Sequence, residues 1–208
     1  PLVGIVGPIE MLMANDALDS KVQKKCLEIM NRSAQQLHQL FEKVIKLCSM
    51  KAGKWHFNLE ETDISEIIAE AAQGLEAVAA ARDVKINQQL TSAVANVDRA
   101  ELSFVVKALV HNAIKYSPNG GHVDVGISTD PDHLTLRVSN TGDGIDADRI
   151  NLIFDEFNQL SVDNHSDGQR LSLAIAREVT AMHRGTITVD SQKGCGATFT
   201  VKLPLEER

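Results

Sequence analysis

One segment limits the possible architecture more than any other. Between Ser20 and the break at Lys51-Ala52-Gly53-Lys54, a polar stretch carries two apolar stripes. Cys26, Met30, Ser33, Leu37, Leu40, Val44 and Leu47 alternate steps of four and three; Leu27, Met30, Ala34, Leu37, Phe41, Val44 and Cys48 run beside them at the same spacing. That period is helical, and a helix with two adjacent seams has more apolar surface to hide than one neighbouring helix covers. A first partner lies just upstream. Leu2, Ile5, Ile9 and Leu12 share one face, Asn15-Asp16 supply turn chemistry, and Asp19 or Ser20 can cap the second helix. Residues 1–52 therefore read as a helical hairpin whose leftover seam calls for a second hairpin, so a homodimeric four-helix bundle is expected. Pro8, preceded by Gly4 and Gly7, lies inside the first helix. An interior proline costs about 3 kcal/mol, so a kink or loosening is expected there.

Beyond Gly53 the pattern changes. Residues 56–60 read as an edge strand, 63–81 as an alanine-rich helix capped by Thr62 or Asp63, 84–90 as a strand, and 98–115 as a helix opened by Asp98. Residues 122–128 and 133–139 alternate as strands joined through Asp130-Pro131-Asp132; 171–183 is helical; 186–190 and 197–203 form a hairpin around Lys193-Gly194-Cys195-Gly196. The fold class is α+β, with the hairpin at 1–52 followed by a two-layer α/β sandwich and mixed sheet at 53–208. A net charge of −7 argues against a nucleic-acid partner, because a phosphate backbone calls for a basic surface. No apolar run approaches the roughly 18 residues of a membrane span. Cys26, Cys48 and Cys195 are far apart, without CxxC spacing, and read as inert thiols rather than metal ligands or a disulfide. Opening on Pro1-Leu2 points to a fragment of a longer protein.

The chemistry concentrates in two stretches, His111-Asn112-Ala113-Ile114-Lys115-Tyr116-Ser117-Pro118-Asn119-Gly120-Gly121 and Asn140-Thr141-Gly142-Asp143-Gly144-Ile145. The first places the Asn112 amide one helical turn from the Lys115 ammonium. The second is a glycine-punctuated turn after a strand. An amide oxygen can ligate a phosphate-bound Mg²⁺, an ammonium can face phosphate oxygens, and glycines let backbone approach a flat base. The pairing suits a nucleotide.

These stretches, with five others in the same order, resemble the sensor histidine kinase core, in which a dimerisation and histidine-phosphotransfer hairpin precedes a Bergerat-type (GHKL) ATP-binding domain. Pro1 to Leu12 is similar to the segment that follows the family's H-E-x-x-T-P phosphoacceptor box, and Lys46 to Lys54 to its helix-two exit. Then come an N-box ending in Asn112, a G1-like box at 140–145, an F-box at Ile153-Phe154-Asp155-Glu156-Phe157, a G2-like box from Gly168 to Ile175, and a closing Gly194-Cys195-Gly196-Ala197-Thr198-Phe199. The resemblance implies ATP and Mg²⁺ as cofactors. Asn112 would ligate the metal, Lys115 contact phosphate, and Tyr116 border the nucleotide. Asn140, Gly142, Gly144 and Ile145 would frame the base, Gly168 and Arg170 would stand at the phosphates, and Leu171 and Thr198 would belong to the same nucleotide site. Residues 158–170 would form a lid anchored by Phe154 and Phe157. It further implies the cytoplasmic portion of a bacterial inner-membrane sensor protein. Its partners would be a second copy, a second sensor kinase, and a response regulator or receiver domain.

Departures from the pattern shape the functional expectation. The phosphoacceptor histidine would lie five residues before Pro1, outside this chain, and none of the seven histidines present is followed by an acidic residue. Ala108 stands one turn before Asn112, where the family usually carries a polar or acidic group. Asn140 replaces the adenine-reading aspartate, exchanging a charge-assisted hydrogen bond for a neutral one at a loss of about 1 kcal/mol. The expected G-x-G-L-G-L reads Gly168-Gln169-Arg170-Leu171-Ser172-Leu173, with two glycines gone and Arg170 positioned to pair with phosphate or to occupy its place. Together a few kcal/mol would lower affinity by about two orders of magnitude. The leading expectation is a histidine kinase core with weakened ATP binding that acts partly through hairpin pairing; the alternative is a fully active autokinase.

Overall fold

The computed structural model describes residues 1–14, 18–156 and 170–205, apart from the side chain of Arg170. Two helices open the chain, α1 (Val3–Ala14) and α2 (Ser20–Lys51), with Asp19 as the N-cap of α2 and its carboxylate accepting from the Lys21 N–H at 3.1 Å. The expected turn at Asn15-Asp16 lies outside the described residues. Helix α1 runs through Pro8 as one element, so no break is seen there. Two contacts set the antiparallel register. A Cβ on Gly4 would lie 2.3 Å from Ser33 Oγ, and Cys26 Sγ stands 3.9 Å from Met11 Sδ. Of the two seams, the first is the covered one: Cys26, Ser33 and Leu47 are buried and Met30, Leu37, Leu40 and Val44 half-buried. Along the second, Leu27, Ala34, Phe41 and Cys48 remain exposed at steps of seven, Leu27 at 57% and Phe41 at 59%.

Helix α2 outlasts α1, and its last turns join the core of the remaining chain, where Leu47 and Met50 are buried with the sandwich residues. Each such burial contributes about 1.5–3 kcal/mol. That core lies between a helical layer, α3 (Ile64–Ala80), α4 (Arg99–Tyr116) and α5 (Arg170–Met182), and a five-stranded sheet. The strands are β2 (Lys85–Gln89), β4 (His122–Thr129), β5 (His133–Asn140), β7 (Ala197–Pro204) and β6 (Thr186–Ser191) in that spatial order, with β2–β4 parallel and the rest antiparallel. A separate antiparallel pair joins β1 (Glu60–Asp63) to β3 (Val94–Val97), and a short 3-10 turn spans Ile150–Leu152. The α+β class expected from the sequence is the one observed.

The expected edge strand at 56–60 is a correction: only Glu60 of it is in a strand. The preceding residues are pinned by side chains instead. Phe57 stacks on His183 at 4.5 Å between ring centroids, and the Asn58 N–H donates to Asp98 Oδ2 at 2.9 Å. His183 is buried; its Nδ1 faces the Val179 carbonyl at 2.8 Å and its Nε2 accepts from the Asp98 N–H at 2.9 Å. Burial holds its pKa below 6.5, which suits the neutral ring this acceptor role requires. Strand β3 was not expected at all, being only four residues long with a polar Asn96 inside it.

Asp63 ties three elements together. Its Oδ1 accepts from the Ser65 N–H (2.9 Å), the Ser65 hydroxyl (2.7 Å) and the Ala93 N–H (3.2 Å), and its Oδ2 from the Ser92 hydroxyl (2.7 Å). These donors, Ser92 first, hold its pKa at about 2 against an ordinary 3.8. A depressed carboxylate contributes stability that is complete above the unfolded value and lost as pH falls through the folded one. Asp63→Ala is therefore expected to cost about 1 kcal/mol at neutral pH, the value of a helix cap. The difference from the parent should shrink below pH 3.8 and go on shrinking as pH falls through about 2, read from urea midpoints across that range.

Candidate functional site

Helix α4 arranges the central residues. Asp98 caps it, accepting from the Glu101 N–H at 3.0 Å, and Leu102, Val105, Val106, Leu109, Val110, Ala113 and Ile114 are buried in the core. The helical period leaves Phe104, Lys107, Ala108, His111, Asn112 and Lys115 on the opposite, partly exposed face. Over that face lies a cavity of about 380 Å³. Its polar lining is Lys43 from α2, Lys107, His111 and Asn112 from α4, and Ser172 from α5; Ala71, Leu75, Phe104 and Ala108 supply apolar walls. Among the described residues the lining holds no carboxylate. An amide oxygen among ammonium groups is a donor set that fits a polyanion carrying a hard cation. Ala108 contributes only a methyl group.

The other expected site residues gather at the end of α4 and the adjoining loops. Lys115 Nζ stands 5.4 Å from the Tyr116 ring centroid, and Tyr116 is exposed. A Cβ on Gly142 would lie 2.3 Å from the Tyr116 carbonyl oxygen, so residues 140–145 are laid directly on the exit of α4. Asn140 closes β5, opposite Ala197 of β7, and its Nδ2 donates to the Thr141 carbonyl at 3.1 Å. Thr198 sits one residue further along β7, between Ser139 and Asp190. A Cβ on Gly144 would fall 2.1 Å from the Gln192 carbonyl oxygen, and Ile145 packs on the core. Leu171 is buried in α5, where Arg170 opens the helix. Gly168, Phe157 and the expected lid from 158 to 169 lie outside the described residues.

Thus the structure brings Tyr116, Asn140, Gly142, Gly144 and Ile145 together in one loop cluster, and sets Asn112 in the cavity beside Ser172. Sequence reasoning missed Phe104, Lys107, Lys43 and Ser191. The first two lie on the Asn112 face of α4 and were legible from helical spacing. Lys43 reaches the cavity from the hairpin, a non-local contact with no sequence signal. Among the described residues no helix is long and apolar enough to cross a membrane.

A helical hairpin docked on a two-layer sandwich, with an asparagine–lysine helix facing a glycine loop, defines the architecture of a sensor histidine kinase core. The sequence profile of the histidine kinase-, DNA gyrase B-, and HSP90-like ATPases matches residues 97–207, and the chain belongs to that family. It is 29% identical over 209 residues to the sensor histidine kinase TmoS of Ectopseudomonas mendocina, covering 99% of this chain and 22% of TmoS. With the hybrid signal transduction histidine kinase D of Dictyostelium discoideum it shares 30% identity over 214 residues, covering 99% of this chain and 14% of that protein. The chain thus spans about a fifth or less of the length of these relatives. The solved structure of the histidine kinase AdeS of Acinetobacter baumannii superposes with a TM-score of 0.78 at 20% identity, over 100% of this chain and 96% of that one. The mycobacterial sensor histidine kinase MprB superposes at 0.64 with 27% identity, over 70% and 97%.

Proposed function

We propose that this chain is the phosphotransfer and pairing core of a two-component sensor, with residues 1–52 as the dimerisation and histidine-phosphotransfer hairpin, 53–208 as the ATP-binding unit, and a nucleotide site of reduced affinity. The observation that carries the reading is the Asn112 cavity, whose cationic rim is completed by Lys43 of the hairpin. Bound Mg-ATP would supply the transferable phosphoryl group. Asn112 would offer one oxygen to the metal, and Lys43 and Lys107, with Lys115 one turn further along α4, would hold the phosphates near that helix. Because Gly4 meets Ser33 and Met11 meets Cys26, each step toward the start of α1 is matched by a step toward the end of α2. Five residues upstream of Pro1, a continued helix would stand level with Phe41, two positions from Lys43. A phosphoacceptor histidine there would lie within one turn of Lys43 in height along α2.

The reduced affinity follows from the chain's own substitutions. Ala108 can neither bind nor polarise a water. Asn140 keeps an acceptor oxygen while its amino group is spent on Thr141. Ser172 puts a side chain on the first turn of α5, where glycine would leave the amides bare. The exposed stripe of Leu27, Ala34, Phe41 and Cys48 fits a second copy or the hairpin of another sensor kinase, and a response regulator or receiver domain would accept the phosphate. The full-length protein would be anchored in the inner membrane, with this portion in the cytoplasm.

Titration of a fluorescent ATP analogue with Mg²⁺ tests the nucleotide site. A dissociation constant of order 0.1–1 mM, lost in Asn112→Ala, is the expected result. Micromolar binding would favour the fully active autokinase, and no binding at millimolar nucleotide would defeat both. For the pairing face, Leu27→Glu with Phe41→Glu should convert dimer to monomer in light scattering, since each buries a charge in the seam; an unchanged dimer would show that the stripe is not the interface.

A further inference from the structure

We infer that Ser191 is a positioning residue for the nucleotide loop, acting as a hydroxyl splint between residues 140–145 and the turn at 192–196. The role rests on the nucleotide reading proposed above. Ser191 ends β6, and its Oγ makes two bonds that span the two segments: it accepts from the Ile145 N–H at 2.8 Å and donates to the Gly196 carbonyl at 2.6 Å. Both capacities of the hydroxyl are used, which no alanine or valine can imitate.

Around it the backbones are already fastened. The Gly194 N–H donates to the Asp143 carbonyl at 2.7 Å, the Gly196 N–H to the Gly142 carbonyl at 2.9 Å, and Lys193 Nζ lies 3.0 Å from Asp146 Oδ1. These bonds hold Gly142 and Asp143 and, among the described residues, leave the Ile145 amide to Ser191. Ile145 is the residue at which the loop packs its side chain onto the core. Without the hydroxyl, the Ile145 N–H is half-buried with no acceptor, and the loop gains freedom at the position that would lie against the base. The splint contributes through preorganisation: ordering the loop before the ligand arrives removes that cost from binding.

Three variants and two readouts test it. In the ligand-free protein, hydrogen exchange at the Ile145 amide should accelerate at least tenfold in Ser191→Ala and return toward the parent rate in Ser191→Thr, while buried amides of β5 and β7 keep their protection. In calorimetry, Ser191→Ala should weaken adenosine and Mg-ATP by the same factor, about tenfold, because the loop frames the base. Lys115→Ala should weaken Mg-ATP and leave adenosine unchanged. Parent-like exchange at Ile145 in Ser191→Ala, or adenosine binding equal to the parent, would overturn the positioning role. A parent protein that binds neither ligand at millimolar concentration would instead overturn the nucleotide reading, and the positioning role with it.

Discussion

Gly196→Ala is expected to destroy the packing of the loop pair that frames the candidate nucleotide site, whereas Gly194→Ala, two residues away, is expected to be nearly tolerated. Both glycines adopt left-handed backbone, with φ of +77° at Gly196 and +81° at Gly194, so both substitutions pay the same conformational penalty of about 1 kcal/mol. Only their surroundings differ. A Cβ at 196 would stand 1.9 Å from the Asn140 carbonyl oxygen and 3.0 Å from its carbon, atoms of a strand that cannot retreat without leaving β7. At 194 nothing lies within 4 Å. The expected loss is therefore about 1 kcal/mol for Gly194→Ala and more than 4 kcal/mol for Gly196→Ala, a size reserved for backbone collisions and ruined cores. Urea unfolding of the pair decides the matter. Equal effects would mean that the 192–196 turn yields more easily than its bonds to Gly142 and Asp143 imply.

The second large effect is expected where the hairpin meets the sandwich. Lys46 of α2 stands 2.6 Å from Glu101 Oε2, a charge contact without hydrogen-bond alignment. The ammonium also lies 4.7 Å from the Phe104 ring centroid and 5.4 Å from that of Trp55. The Glu101 side chain is only 9% exposed, so removing its counter-ion leaves a carboxylate that water reaches poorly. Lys46→Met is expected to cost about 2–4 kcal/mol, toward the lower end of the range for broken buried pairs because Lys46 itself is partly solvated. The pair Lys46→Met with Glu101→Gln should recover half or more of that loss, since no uncompensated charge remains. Trp55, the single tryptophan of the chain, reports locally on the junction, and far-UV circular dichroism on the whole. Additive losses in the double variant would show that the two charges do not act on each other. Lys51, ion-paired with Glu156 and raised in pKa by that hydrogen bond, closes the same junction nearer the expected lid.

Much of the fold was readable before any coordinates. Asp19, Asp63 and Asp98 all cap the helices they were expected to cap or offered as candidates for, because a cap is a local device. The β4–β5 turn was equally legible: Asp130 Oδ1 accepts from the Asp132 and His133 N–H groups at 2.9 and 2.8 Å, within three residues. The edge strand expected at 56–60 failed for the opposite reason. Phe57 and Asn58 are held by His183 and Asp98, partners that lie 40 or more residues away in sequence.

The candidate site divides along the same line. Helical period alone put Asn112 and Lys115 on the open face of α4, since the buried positions of that helix after Glu101 are apolar and the chain cannot turn one face inward without turning the other out. The double seam of α2 likewise demanded a partner surface from sequence alone. Over the first half of α2 the choice of open seam was made by α1, whose contacts at Gly4 and Met11 cover Ser33 and Cys26 and leave Leu27 bare; beyond it the sandwich core takes Leu47 and leaves Phe41 exposed. Tertiary packing alone also decided that Lys43 would close the Asn112 cavity, that Leu47 and Met50 would join a core otherwise made by the sandwich, and that Gly144 and Gly196 would be needed for backbone lying against backbone. Spacing along a chain records which residues share a face; what that face meets depends on neighbours brought in from distant positions.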